Sequence, residues 1–414
     1  MHFELSNDQK NALNLLQSGE NVFLTGGAGS GKSTVIRELM HSLSPKEMPV
    51  LASTGAASVL VGGRTFHSFF GLGIMDGGEF KTLEKARGDK RLFSRLRKVE
   101  GFILDEVSMI SAAAFRTAEQ IAKEARDSDL PWGGMRVITV GDFAQLPPVS
   151  KNSSTREWAF LDSSWSGTDF QICSLNHNHR TQDREFLDVL ASVRSGKVDE
   201  SVQEFLEKHV EEHFEESSGT RLFPLRAQAE AFNQKKLHEI DSEEKVFGTI
   251  YFGDERFVES LKKNSPIPEN LVLKVGCEVL FVQNDSKRRW VNGSRGEILD
   301  ISNEGLVVKL ASGREVEVEK TTFGMQNADG NVIASGINFP VVLGYATTIH
   351  KSQGATLDEV WLDLRRLWEP GHAYVALSRL RSPKGLHLIG WNPKSILVDP
   401  RVEKFYAELK HRDI

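Results

Sequence analysis

The stretch LTGGAGSGKST, Leu24 to Thr34, leaves few options for the chain around it. It ends an apolar run, NVFLTG, and leads into the helix-like STVIRELMHSL, so it lies where a buried strand gives way to a helix. Its spacing is G-x-x-x-x-G-K-[ST], with Gly26, Gly31, Lys32 and Ser33 in the defining positions. The backbone N–H groups from Gly26 through Gly27, Ala28, Gly29, Ser30 and Gly31 can curl around a phosphate, and the helix start at Lys32, Ser33 and Thr34 favours an anion there. Lys32 adds a compact positive charge and Ser33 a hydroxyl for Mg²⁺. The alternative, a plain glycine-rich turn, fits the strand-to-helix context poorly. A loop of this kind implies an α/β fold with a parallel sheet and ligand at the carboxyl ends of its strands.

Further strands of such a sheet read as MPVLAST, EGFILDE, MRVITVGD and FQICSLN, with helical pieces between. FILDEVSM closes one of them with Asp105 and Glu106. Two carboxylates at a strand end are usually just solvated. One α/β unit beyond a phosphate loop, Asp105 suits Mg²⁺ and Glu106 suits activation of the attacking water. RVITVGDFAQLPPV carries Gln145 past the next strand, where an uncharged amide can donate to a phosphate oxygen and accept from water. Pro147 and Pro148 stiffen the backbone behind it. These residues specify nucleotide hydrolysis, which kinases, GTPases and transporters share.

A second α/β region follows, with RLFPL, VVLGYATT, EVWLDL and GLHLIGW. It carries Arg180 in LNHNHRTQD and Arg379 in AYVALSRLRSPKGL. Arginine forks onto phosphate and can stabilise charge in the transition state. With 51 Lys and Arg in the chain, either residue alone could equally be surface filler. Two segments break the rhythm: Ile74 to Lys98, Gly-rich and then basic, and Gly276 to Thr322, whose alternating strands and Asn-Gly and Ser-Gly turns predict a small β-barrel.

At 414 residues two or more domains are expected. Hydrophobic residues at 39% and charged residues at 26% are those of a folded globular chain. No apolar run reaches membrane-spanning length and no signal core opens the sequence, so an intracellular location, cytoplasmic or nucleoid-associated, is expected. Cys173 and Cys277 lack metal-ligand spacing and read as ordinary buried thiols. The net charge of −6 means that any nucleic-acid contact must come from a local groove.

LSNDQKNALNLL, ASTGAASVLVGGRTFHSFFGL, DEVSM, PWGGMRVITVGDFAQLPPVS, LNHNHRTQD, YATTIHKSQGATL and YVALSR follow one another in the order found in superfamily-one DNA helicases. The span from Asp105 to Ser150 resembles the hallmark segment of the Pif family, relatives of RecD and Dda helicases. The resemblance implies two RecA-like P-loop motor domains, 1–172 and 173–414, with an accessory segment at about 74–98 in the first and a small β-barrel at about 240–335 in the second. It implies an ATP- and Mg²⁺-dependent DNA helicase moving 5′ to 3′ on single-stranded DNA and opening forked duplex, one chain sufficing. A translocase that does not part strands and a nucleotide-switched DNA clamp are the competing readings. The chain ends soon after Arg379, as expected of a minimal helicase core.

By motif match, Gln9 would read the adenine, and Gln145, Arg180 and Arg379 would surround the γ-phosphate. Thr54, Gly55, Thr65, His67 and Pro148 in the first domain, with Thr348, His350 and Lys351 in the second, would contact DNA. Phe66, Phe69, Phe70 and Trp290 could stack bases or form a wedge, with core packing equally open. The basic clusters KRLFSRLRK and SKRRW, the latter with Arg288 and Arg289, could grip duplex. Leu225 and Arg226 depart from the pattern and receive no role.

Overall fold

The computed structural model describes residues 5–54, 64–73, 75, 77–148, 157–211, 219–326 and 331–410. Two compact units emerge: Met1–His179 with Gly324–Ile333 and Pro400–Ile414, and Arg180–Phe323 with Ala334–Asp399. The expected division at 172/173 is displaced to His179/Arg180, and Pro400–Ile414 groups with the first unit instead of the second. The physical reason is an aromatic cluster that no local pattern announces: Phe405 stacks on Phe160 at 4.3 Å and meets Phe143 at 5.5 Å.

The first unit is built on a sheet of β1 (Val22–Gly26), β2 (Val50–Ala52), β3 (Arg64–Thr65), β4 (Gly101–Asp105), β5 (Arg136–Gly141) and β6 (Gln171–Leu175). Their order is β3-β2-β4-β5-β1-β6, and every pairing is parallel. Both faces of a parallel sheet are covered, which is why β1 is buried at all its positions and reads as a continuous apolar run. Helix α1 (Asn7–Gln17) begins with a reciprocal capping box between Ser6 and Gln9, and α2 (Lys32–Leu39) packs Val35, Ile36 and Leu39 into the core that α1 and β1 share.

The segment around 74–98 forms two helices, Gly78–Arg87 and Lys90–Lys98. They are fastened to the helix Ala112–Arg126. Arg87 pairs with Glu124 at 2.7 Å, Glu79 with Arg116 at 2.6 Å, and Arg97 Nε donates to the Ala125 carbonyl at 2.6 Å. Arg95 donates to the Phe69 carbonyl at 2.7 Å. Two arginines of the expected duplex grip are thus occupied in holding the accessory helices.

In the second unit a parallel sheet runs in the order Ala346–Thr348, Thr220–Phe223, Val360–Leu364, Leu386–Trp391. The expected β-rich insertion is a five-stranded antiparallel sheet of Glu315–Glu319, Gly305–Leu310, Arg295–Ile301, Glu278–Phe281 and Val341–Leu343, with smaller antiparallel pairings beside it. Val279, Phe281, Ile298, Val308, Val318 and Val341 fill its core. At its Ser-Gly turn, the Gly313 N–H donates to the Leu310 carbonyl at 2.8 Å, and Gly313 takes φ +83°, a left-handed conformation that glycine adopts without penalty as the chain reverses. Cys277 is fully buried in this core, while Cys173 is only partly buried. Among the described residues no helix is long and apolar enough to cross a membrane.

Candidate active site

The order of strands decides what meets the phosphate loop. β5 lies between β1 and β4, with Thr25 in register with Gly141 and Leu104 with Thr139. The loop after β1, the acidic pair after β4 and the turn bearing Gln145 after β5 therefore emerge side by side at the carboxyl edge of one sheet.

The phosphate loop is held from both sides. Gly31 caps α2 at φ +85°, a conformation that glycine adopts without penalty. Lys32 Nζ donates to the carbonyls of Gly26 at 2.8 Å and Gly27 at 3.1 Å, so its ammonium lies over the loop. The segment after β6 supports the outer turn: Asn178 Nδ2 donates to the Ala28 carbonyl at 2.8 Å and the His179 N–H to the Gly29 carbonyl at 2.8 Å. Asp8, on α1, accepts from the His177 N–H at 3.2 Å. Gln9 is buried, and its Oε1 accepts from the Ser6 N–H at 3.0 Å. Asn178 and His179 thus brace the loop and Asp8 braces the segment that carries them, three contacts that the sequence did not announce. LNHNHRTQD drew attention only through its arginine.

Asp105 and Glu106 close β4. Burial pushes the Asp105 carboxyl above the usual carboxylate range, opposed by the Glu106 N–H, which donates to it at 2.9 Å, and by the charge of Lys32. Glu106 holds φ +54°, ψ +49°, a region that costs a non-glycine residue about 1–3 kcal/mol. Such strain at a strand end beside a phosphate loop marks a side chain whose direction matters. The hydroxyl of Ser33 and the enclosed carboxyl of Asp105 are hard oxygen donors, a set that suits Mg²⁺, and a cation would favour the ionised form of Asp105.

Beyond β5 the chain stays buried from Asp142 to Pro148. The Asp142 carboxylate accepts from the Ala144 N–H at 3.1 Å and its carbonyl from the Gln145 N–H at 2.9 Å, a tight turn that presents Gln145 at the sheet edge.

Arg180 and Arg379 come together within the second unit. Arg180 Nη1 donates to the Ser378 carbonyl, and Arg379 Nη2 to the Ser378 hydroxyl at 3.0 Å. Arg379 is almost wholly buried, with Nε on the Val375 carbonyl at 2.8 Å and Nη1 on the Ser352 carbonyl at 3.2 Å. A guanidinium so bound cannot be surface filler.

The expected DNA contacts fall out unevenly. Gly55 lies outside the described residues. Thr54 is partly buried, and Thr65 caps the short helix Phe66–Phe69 by accepting from the Ser68 N–H at 3.1 Å. Burial pushes the His67 imidazole below its ordinary value. Pro148 is buried. Thr348 is buried and accepts from the Lys351 N–H at 3.1 Å, while His350 and Lys351 are exposed.

Phe66, Phe69 and Phe70 are buried core residues, Phe66 and Phe70 packed with Phe102, Phe115 and Trp132 and Phe69 edge-on to Phe70, an environment of core packing and not of exposed base stacking. Trp290 is also buried, stacked on Phe281 at 4.4 Å, with the Arg289 guanidinium over its ring at 4.4 Å from the centroid. Arg289 itself is committed to Asp285 and the Glu317 carbonyl. An exposed indole that the sequence reading did not single out, Trp368, stands edge-on to His372, whose ring lies 5.2 Å from that of His350.

The chain as a whole has known relatives. A family model described as PIF1-like helicase matches residues 4–204, and one described as DNA helicase Pif1, 2B domain, matches residues 256–301. The chain is 62% identical over 407 residues to the ATP-dependent DNA helicase Pif1 of Bdellovibrio bacteriovorus, spanning 98% of this chain and 92% of that protein. It is similar to the crystal structure of Bacteroides sp Pif1 in complex with ADP-AlF4, with a TM-score of 0.87 at 27% identity over 99% of this chain and 98% of that one. It is also similar to Bacteroides Pif1 bound to ssDNA, with a TM-score of 0.67 at 28% identity over 99% and 98% of the two chains. On the strength of that identity over nearly the whole of both chains, this protein belongs to the PIF1-like helicase family.

Proposed function

We propose that the chain is an ATP-dependent DNA helicase that moves 5′ to 3′ on single-stranded DNA and parts the duplex ahead of it. The observation that carries the reading is the shared sheet edge, where Lys32, Asp105, Glu106 and Gln145 stand at the ends of β1, β4 and β5. Backbone N–H groups of the loop and Lys32 bind the phosphates, and Gln9 faces the base. Glu106 takes the proton of the attacking water, and its strained backbone keeps the carboxylate aimed. Ser33 and Asp105 would hold Mg²⁺, which would supply neutralisation of phosphate charge. Gln145 orients the water and reports the γ-phosphate, while Arg180 and Arg379, locked together on Ser378, supply the charge that stabilises the transition state. Thr54, Thr65, His67, Thr348, His350 and Lys351 hold the DNA backbone, and one chain acts alone.

The test is ATP-driven unwinding of a 5′-tailed against a 3′-tailed duplex. Strand separation on the 5′-tailed substrate alone is the expected result. Preference for the 3′ tail overturns the polarity, and DNA-stimulated hydrolysis with both duplexes left annealed identifies a translocase instead.

A further inference from the structure

The last helix, Pro400–Lys410, brings one hydroxyl to the base of the active site. Tyr406 Oη accepts from the Phe143 N–H at 2.9 Å, donates to Asp142 Oδ1 at 3.0 Å, and lies 3.1 Å from Thr25 Oγ1. A tyrosine hydroxyl has one proton to give. With that proton on Asp142, the Thr25 hydroxyl must be the donor, and Tyr406 Oη is saturated by one donated and two accepted bonds.

The partners are not ordinary core groups. Thr25 immediately precedes Gly26 of the phosphate loop, and Asp142 and Phe143 open the turn that ends in Gln145. Thr25 is in register with Gly141 on the neighbouring strand, so Tyr406 ties together the mouths of β1 and β5. All three partners are almost fully buried. The same Asp142 oxygen accepts from the Ala144 N–H, so the tyrosine acts on the acceptor that shapes the Gln145 turn. Phe405 anchors the helix next door by its stacking on Phe160, which separates holding the helix in place from what the hydroxyl does.

We propose that Tyr406 is a positioning residue for ATP hydrolysis: its hydroxyl fixes the Asp142–Gln145 turn against the end of the phosphate-loop strand and so sets where the Gln145 amide stands. The inference rests on the reading of Gln145 as the group that senses the γ-phosphate. Tyr406→Phe keeps the ring and leaves Thr25 Oγ1, the Phe143 N–H and one Asp142 bond without their shared partner. Loss of hydrogen bonding among buried groups carries a penalty that, expressed in the transition state, slows turnover about tenfold.

The experiment is a cycle of wild type, Tyr406→Phe, Gln145→Ala and the double variant, each assayed for kcat and KM for ATP with saturating oligodeoxythymidine, alongside thermal midpoints. Tyr406→Phe should lower DNA-stimulated kcat about tenfold with KM for ATP changed by less than about twofold. In the Gln145→Ala background the same substitution should have no further effect. A thermal shift with kcat intact makes Tyr406 merely structural and overturns the proposal, as does an undiminished loss of kcat in the Gln145→Ala background. Full DNA-stimulated turnover by Gln145→Ala alone refutes the underlying reading of Gln145, and the proposal with it.

Discussion

The side-chain amide of Gln9 lies so close to the bare Cα of Gly31 that a Cβ there would fall 2.3 Å from Gln9 Nε2. The residue expected to read the base and the last glycine of the phosphate loop are therefore in direct contact. Gln9 is further tethered by its capping box with Ser6.

Gly31→Ala meets both this clash and a backbone at φ +85°. Left-handed placement of a non-glycine residue costs about 1–3 kcal/mol, so the loop should distort and ADP affinity should fall roughly tenfold or more. Calorimetric titration with ADP checks it; unchanged affinity would mean that the loop tolerates the methyl group.

Lys32→Ala and Glu106→Gln should separate binding from chemistry. The first removes the charge over the loop and should abolish measurable turnover. The second keeps size and backbone, so it should bind ATP as wild type does yet hydrolyse it at least about a hundredfold more slowly, the scale of lost general base catalysis. Filter binding of ATP and single-turnover hydrolysis read the two quantities, and brisk turnover by Glu106→Gln would remove Glu106 from the mechanism.

Arg379 hydrogen-bonds within its own unit to Val375, Ser352 and Ser378. Arg379→Ala should lower turnover by ~10³ and also lower the thermal midpoint. Arg379→Lys restores a charge without the planar fork and should recover little activity. If the lysine variant hydrolyses ATP at the wild-type rate, charge alone suffices and the geometry around Ser378 is incidental.

Phe66 and Trp368 should part company in assay. Phe66 is fully buried, and Phe66→Ala should cost about 3–5 kcal/mol of stability. Trp368 is 53% exposed beside His372, and Trp368→Ala should leave stability nearly unchanged while weakening oligodeoxythymidine binding by about 1–3 kcal/mol if a base stacks there. Anisotropy titrations that show no loss for Trp368→Ala would exclude stacking at that indole.

Arg289 grips both oxygens of Asp285 at 2.9 Å and holds that carboxyl down to about 2. The folded value lies below the ordinary ~3.9, so the stabilisation is complete above that pH and is lost as pH falls toward the folded value. The urea midpoint of wild type should therefore exceed that of Asp285→Asn at neutral pH, and the gap should close between about pH 4 and pH 2. A gap that stays constant over that range would show that the ion pair does not titrate with folding.

Much of the site could be read from the chain because its chemistry requires local spacing. A phosphate loop is a run of consecutive residues, and the carboxylate and amide proposed to serve it lie at or just beyond strand ends, so Lys32, Asp105 and Gln145 stand out by sequence context. The two arginines were legible only as members of ordered motifs, since a guanidinium looks the same on a surface as on Ser378.

The order of residues by itself determined which groups a nucleotide-driven machine would have and in which elements they would sit, because backbone turn geometry and strand periodicity act over a few residues. Folding alone decided their partners. It placed β5 between β1 and β4, sank Phe66, Phe69, Phe70 and Trp290 into cores, and spent Arg289 on Asp285. It also joined Tyr406 to Asp142 across 264 residues, a pairing that arises from packing an aromatic helix against a sheet edge and leaves no periodic trace in the sequence.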